Sequence, residues 1–156
     1  MRKCTKIDKK RRWMWISAAA LILWTLFIWG NSLLSGPASM EKSQSVINVV
    51  KPTLYFLGLP VEQWQFYVRK AAHFLEFAIL GGLWFLNLQG RISSGWRLFL
   101  LSLGASALTA GLDEFLQSFT GRTAQLSDVF LDTSGALAGI GICFLSLWIL
   151  RRKRSS

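Results

Sequence analysis

Apolar residues are concentrated in four long runs, which are separated by polar or mixed segments. A helix needs about 20 residues to cross the hydrocarbon core of a bilayer, and each run is close to that length. The pattern therefore predicts an all-α polytopic membrane protein with four transmembrane helices. The predicted spans cover about residues 13–34, 68–88, 96–117 and 128–150.

The first run follows a basic head, a combination that is also typical of a signal peptide. The apolar part of a signal peptide has about 7–15 residues, and the run over residues 13–34 is longer. Trp13, Trp15 and Trp29 lie near its ends, as expected for side chains at the membrane–water interface. These features favour an uncleaved membrane anchor.

Residues 35–67 form a linker between the first and second spans. Within this linker, Met40–Val50 fits either a short amphipathic helix on the membrane surface or an ordered loop, and the sequence leaves both open. Pro60 suits the first turn of a helix. The second helix is therefore expected to begin there and to continue through Val61–Tyr67.

The net charge of +10 comes from the two ends of the chain. Residues 1–12 contain seven Lys or Arg and one Asp, residues 151–154 contain four more, and the stretch between them is neutral. An apolar body with basic ends is the pattern of the positive-inside rule. A nucleic-acid-binding protein needs a basic face on a folded soluble domain. No residues are left for such a domain, so nucleic acid is excluded as a partner.

The basic tails, residues 1–12 and 151–156, are expected on the cytoplasmic side, and four spans place both termini on the same side. The loop at 89–95 then also lies inside, whereas the linker and the loop at 120–127 lie outside. With 156 residues the chain is long enough for one domain. We therefore expect a single four-helix domain over residues 13–150 in the plasma membrane.

Ionisable residues are rare in membrane helices, because each costs about 2.5–3.5 kcal/mol at the bilayer centre on insertion scales. Here they gather at three helix ends that the predicted topology places on the outer side. They are Arg69, Lys70, His73 and Glu76 at the start of the second span, Asp113, Glu114 and Gln117 at the end of the third, and Asp128 and Asp132 at the start of the fourth, after Arg122 and Ser127. Residues of this kind are expected to be paired or functional.

Spacing within each span places these polar side chains on one helix face, because residues three, four or seven apart are neighbours on a helix. The spaced sets are Arg69, His73 and Glu76 in the second span, Asp113 and Gln117 in the third, and Asp128 and Asp132 in the fourth. Gly135 and Gly139 continue the stripe of the fourth span as a small-residue packing face. The sequence therefore predicts a polar pocket that opens outward.

An imidazole beside carboxylates can transfer protons near neutral pH. The candidate catalytic residues are accordingly His73, Glu76, Asp113 and Asp132. Arginine grips a phosphate or carboxylate with two hydrogen bonds, which suggests a binding role for the residues around them. The candidate substrate-binding residues are Arg69, Glu114, Gln117, Arg122, Ser127 and Asp128.

Two other interpretations of the same residues stay open. The acids can neutralise Arg69, Lys70 and Arg122 in a closed ion-pair network that fixes helix register without doing chemistry. Clustered carboxylates with the amide oxygen of Gln117 also suit a hard cation such as Mg²⁺ or Ca²⁺. The sequence leaves the metal, any cofactor and the oligomeric state open.

Residues 69–77 (RKAAHFLEF) and 113–135 (DEFLQSFTGRTAQLSDVFLDTSG) resemble the two signature blocks of the VanZ-like family. The resemblance extends over about residues 67–139, nearly half of the chain, with the blocks in the expected order and spacing. The first span and both tails match only in general character.

The resemblance implies a bacterial cell-envelope protein, because the family is named for an accessory protein of teicoplanin resistance. That founding member is associated with lowered glycopeptide susceptibility without a change in the D-Ala-D-Lac chemistry of the wall precursor. The expected partner is a membrane lipid or a lipid-linked envelope precursor. Whether the protein is an enzyme or binder of that amphiphile, or a non-enzymatic accessory or transporter-like protein, stays open. The helices are apolar beyond Glu76 and Asp132, which favours a one-sided pocket over a path through the membrane.

Overall fold

The computed structural model describes residues 2–120 and 125–153. Within this part the chain is helical and contains no strand, which confirms the all-α prediction. The helices are α1 (Arg2–Ser32), α2 (Gly36–Phe56), α3 (Trp64–Leu88), α4 (Gly95–Ser118) and α5 (Leu126–Lys153), with a short 3₁₀ turn at Val61–Gln63 before α3.

Four of these helices are long and apolar enough to cross a membrane, as the hydrophobic pattern predicts. The apolar stretches are Arg11–Ser32, Val61–Leu88, Gly95–Ser118 and Leu126–Leu150. Their bounds differ from the predicted spans by a few residues. The second stretch begins at Val61, which agrees with the helix that the sequence predicts from Pro60. Helix α1 also extends back to Arg2, through a head rich in Lys and Arg, which are good helix formers.

The linker contains a helix of 21 residues, longer at both ends than the short segment that the sequence suggests. Pro37 lies in the first turn, where a missing backbone N–H costs nothing. Ile47 and Leu54 pack against Trp64 and Val68 of α3. Helix α2 ends before Gly58, whose φ of 64° turns the chain back toward α3.

Helices α3 and α5 approach each other closely along the small-residue stripe of α5. A methyl group added at Gly135 would meet the carbonyl oxygen of Phe74, and one at Gly139 would meet that of Ala78. Backbones can come this close only where side chains are missing. The approach brings the first turns of α5 directly alongside the middle of α3.

We expect Gly139→Ala to destabilise the protein by about 1–3 kcal/mol, the usual cost of overpacking a well-packed contact. Thermal unfolding in detergent, followed by tryptophan fluorescence, measures the effect. Gly141→Ala is the matched control, because the added methyl group would meet no atom of another helix within 4 Å in the described part of the chain. Equal stability of the two variants would contradict the close packing of α3 on α5.

The end of α1, the start of α3, the end of α4 and the start of α5 meet at one end of the bundle. Ser32 of α1 contacts Asp113 of α4, and Lys70 of α3 pairs with Asp128 of α5. The apolar layer next to these residues consists of Leu21, Ile28, Phe77, Leu80 and Ala110. These ionisable side chains therefore lie at one end of the fold, next to an apolar layer.

Candidate functional site

Three buried side chains from three helices form the centre of the polar cluster. His73 of α3 is 8% exposed, and Asp113 of α4 and Asp132 of α5 are fully buried. One ligand atom from each residue lies within 4.8 Å of the other two. The helical spacing of these residues predicts that they meet, and the structure brings them together.

Asp113 is held by neutral hydrogen-bond donors on both carboxylate oxygens. The hydroxyl of Ser32 donates to Oδ1 at 2.5 Å, and the side-chain amide of Gln117 donates to Oδ2 at 2.8 Å. The second bond confirms that Asp113 and Gln117 share a helix face. Ser32 is absent from the candidates chosen from the sequence, because one Ser at the end of an apolar run carries no distinctive signal.

Asp132 and the nearest nitrogen of His73 have no such donors. Within the described part of the chain, neither carboxylate oxygen of Asp132 has a hydrogen-bond partner. Nδ1 of His73 has none there either. Nδ1 of His73 lies 3.6 Å from Oδ1 of Asp132, too far for a hydrogen bond. The two side chains therefore face each other across a gap that no protein donor fills.

Glu76 is bound to α1. Its Oε1 accepts a hydrogen bond from Nδ2 of Asn31 at 2.9 Å, and Lys42 of α2 donates to Oδ1 of the same Asn31 at 2.6 Å. The backbone carbonyl of Glu76 also accepts the indole N–H of Trp24 at 2.9 Å. Glu76 thus lies outside the group of three, although it lines the same cavity as His73.

Of the two cations at the start of α3, only Lys70 has a carboxylate partner among the described residues. It forms an ion pair with Asp128. Arg69 instead donates to the amide oxygen of Gln117 at 3.4 Å. The sequence assigned Arg69 and Lys70 equally to an ion-pair network, and the structure separates their roles.

The remaining candidates lie at the start of α5 and the end of α4. Glu114 is buried, and its Oε2 accepts the backbone N–H of Gln125 at 2.9 Å. Ser127 is exposed and donates to Asp128 at 3.2 Å. Arg122 lies outside the described residues. Glu114 and Ser127 therefore order the start of α5 and do not line the cavities next to His73.

Two adjoining cavities lie beside the cluster. One of about 90 Å³ is lined by the end of α1, by α2 and by α3, and its lining includes Lys42, Arg69, His73 and Glu76. The other, of about 200 Å³, extends from Arg69 and Lys70 to Asp128. Arg69 lines both cavities. Helix α2, which the sequence left undecided, thus forms one wall of the site.

A family profile described as VanZ/LLP1 matches residues 17–149. The chain belongs to the VanZ/LLP1 family. The match confirms the resemblance found in the sequence and extends it from two blocks to nearly the whole chain. No curated protein and no solved structure gives a significant match. The protein is therefore a multi-pass membrane protein of the VanZ/LLP1 family, and its site must be interpreted from its own residues.

The VanZ/LLP1 match covers every residue of the group of three. Among the described residues, His73, Asp113 and Asp132 have donor atoms arranged to hold a metal ion. Gln117, whose amide oxygen suits a hard cation, donates its amide N–H to Asp113 and accepts a hydrogen bond from Arg69. It therefore orients Asp113 and is already engaged through both ends of its amide group.

Proposed function

We propose that this VanZ/LLP1 protein binds an amphiphile with an anionic headgroup, a phospholipid or a lipid-linked wall precursor, at the outer face of the plasma membrane. The headgroup occupies the cavities between α1, α2 and α3. Binding or processing of this amphiphile lowers glycopeptide susceptibility, the effect that the resemblance to a teicoplanin-resistance protein suggests. The observation that carries the proposal is the position of Arg69, which lines both cavities.

The partners of Arg69 support an anionic ligand. Its guanidinium group contacts a neutral amide oxygen, and no carboxylate lies within 4.0 Å of it among the described residues. A partly buried charge without an opposite charge is costly. A phosphate or carboxylate accepts two parallel hydrogen bonds from arginine and removes that cost. Lys42 adds a second cation to the same cavity.

The rim of the cavities supports an amphiphile in particular. Met40 and Phe66 line the larger cavity and are 57% exposed, and Val46 lines the smaller one and is 44% exposed. Exposed apolar side chains next to a polar cavity can contact an acyl or prenyl chain while the headgroup enters the cavity. This arrangement favours a lipid over a fully soluble anion.

The alternative is a non-enzymatic accessory or transporter-like protein in which the polar cluster is a structural ion-pair network. The Lys70–Asp128 pair favours it. The rest of the cluster does not follow this pattern, because Asp113 is held by neutral groups and Asp132 has no hydrogen-bond donor among the described residues. Among the described residues, the basic side chain that contacts Asp132 is His73 at 3.6 Å, which carries a charge only when the imidazole is protonated. A closed network would not leave Arg69 without a carboxylate partner.

The test compares lipid retained by the wild-type protein with lipid retained by Arg69→Gln, in nanodiscs that contain phosphatidylglycerol and phosphatidylcholine. We expect Arg69→Gln to lower the bound anionic lipid at least about tenfold, because a hydrogen bond to a charged group contributes about 1.5–3 kcal/mol. Native mass spectrometry measures the bound lipid. Arg97→Gln, an exposed arginine at the start of α4, is the matched control. Equal retention of anionic lipid by Arg69→Gln and the wild type would overturn the proposal.

A further inference from the structure

We propose that His73, Asp113 and Asp132 bind one divalent transition-metal ion, for which Zn²⁺ is the best match. The donor set consists of one imidazole nitrogen and two carboxylate oxygens. Three protein ligands with one free coordination position are typical of catalytic zinc sites, and Zn²⁺ accepts both nitrogen and oxygen ligands. The cation site goes beyond headgroup binding and does not depend on it.

The distances between the ligand atoms fit a tetrahedral ion. Zn–N and Zn–O bonds of about 2.0–2.2 Å place two tetrahedral ligands about 3.4 Å apart. Nδ1 of His73 and Oδ1 of Asp132 are 3.6 Å apart, and the three ligand atoms lie within 4.8 Å of one another. An ion would draw all three ligand atoms closer together than this outer limit of 4.8 Å. The 3.6 Å between Nδ1 of His73 and Oδ1 of Asp132 is also longer than a hydrogen bond.

The burial of Asp132 points to a ligand independently of the clustering of acids. Its carboxylate is fully buried, and neither oxygen has a hydrogen-bond partner in the part of the chain that the structure describes. An ionised carboxylate in such a place is strongly destabilised unless a charge or donors compensate for it. A cation between Asp132 and His73 supplies that compensation for both oxygens and for Nδ1.

The surroundings of the three residues are those of a metal site. Metal-ligating carboxylates are commonly oriented by further hydrogen bonds, and Ser32 and Gln117 do this for Asp113. Two carboxylates with a neutral imidazole also balance the charge of a dication. The nearest lysine, Lys70, is engaged by Asp128. Among the described residues, no Lys or Arg lies within 4.0 Å of Asp113 or Asp132.

The position of the ion connects it to the neighbouring cavity. His73 lines the cavity of about 90 Å³ that also exposes Arg69. A free coordination position on that side would bind water or an oxygen atom of a headgroup, and a zinc ion polarises such an oxygen. This last step rests on the proposed function, whereas the cation site itself does not.

The experiment is a titration of the metal-free protein with Zn²⁺ alone. The protein carries no histidine tag, is purified in detergent and is stripped with a chelator. We expect one Zn²⁺ per chain by elemental analysis and by calorimetry. Asp132→Asn should weaken binding at least about 100-fold, because it removes a direct ligand, and loss of an outer partner already costs 10–100-fold. The control is Glu41→Gln, which removes one negative charge at an exposed position of α2 and should stay within about threefold.

Two results would overturn the cation site. One is a wild-type protein that takes up no Zn²⁺ and no Mn²⁺ at about 100 µM. The other is equal weakening by Glu41→Gln and Asp132→Asn, which would show that the acids attract cations only through their summed charge. If Asp132→Asn does not fold, Co²⁺ replaces Zn²⁺ in the wild-type protein. Visible absorption bands of tetrahedral cobalt support the site, and their absence overturns it.

The two proposals fail separately. Arg69→Gln should bind Zn²⁺ like the wild type, because Arg69 is not one of the three ligands. If the wild type binds Zn²⁺ and retains no anionic lipid, the headgroup proposal is wrong and the cation site stands. If the wild type retains anionic lipid through Arg69 and takes up no divalent ion, the cation site is wrong and the headgroup proposal stands.

Discussion

His73→Gln is expected to abolish the activity of the protein in the envelope while leaving the chain folded and inserted. Glutamine is similar in size to histidine and keeps a hydrogen-bonding group, so the loss of packing is small. It cannot accept and release a proton near neutral pH, and it lacks the imidazole nitrogen that a zinc ion binds. Nδ1 of His73 has no hydrogen-bond partner in the described chain, so little structural support is lost.

The measurement is the glycopeptide susceptibility of cells that express each variant, together with the amount of protein in the membrane. We expect cells that express His73→Gln to be as susceptible to glycopeptides as cells without the protein. Asn87→Ala is the control, because Asn87 is a buried polar residue on the same helix at the other end of the bundle, where it donates to Ser17. Full activity of His73→Gln at wild-type abundance would make the cluster a scaffold. Loss of His73→Gln from the membrane would instead favour the structural network.

The parts of the fold that the sequence predicts are those that local periodicity determines. Length and hydropathy predict the four long helices, and a helical period predicts which side chains share a face. Ser102, Ser106 and Ala110 continue the face of Asp113 and Gln117 in the third predicted span, and all five residues are fully buried. The small-residue stripe of the last span likewise packs against a neighbouring helix. Each of these features depends on residues within a few turns of one another.

The parts that the sequence does not predict depend on which helices become neighbours. Asn31 and Ser32 look like the polar end of an apolar run, yet they hold Glu76 and Asp113 from across the bundle. Periodicity within α1 contains no information about which helix lies opposite its end. The signal for α2 is also weak, because a helix with Pro52 in its interior and a mixed composition resembles a loop.

The sequence likewise does not predict which partner Arg69 has. Arg69 and Lys70 are adjacent, so they point about 100° apart around α3. That difference directs Lys70 to Asp128 of α5 and Arg69 to Gln117 of α4 and the cavities. The sequence shows that two cations lie near several acids. Which cation is neutralised and which stays available for a ligand follows only from the arrangement of the helices.

We expect a reporter that works only in the cytoplasm to be active when it is fused at the C-terminus or in the loop after α3. A reporter that works only outside the cytoplasm should be active in the loop after α2. The reason is the distribution of basic residues. Thirteen of the eighteen Lys and Arg occur before residue 13, between residues 90 and 97, or after residue 150. The five others and seven of the eight acids occur between residues 41 and 132. The excess of Lys and Arg sets the orientation of the helices in the membrane. Each reporter should therefore be either fully active or inactive at a given site.

The orientation determines what the cavities can meet, which makes this test informative beyond topology. With the termini inside, Arg69 and the group of His73, Asp113 and Asp132 face the outer leaflet, where a lipid-linked wall precursor is used. Activity of an outside-specific reporter at the C-terminus would show that the bundle has the opposite orientation. The same cavities would then lie at the cytoplasmic leaflet. The proposed action at the outer face would then be wrong. The zinc site would be unaffected, because its three ligands meet through the packing of α3, α4 and α5, whichever side of the membrane they face.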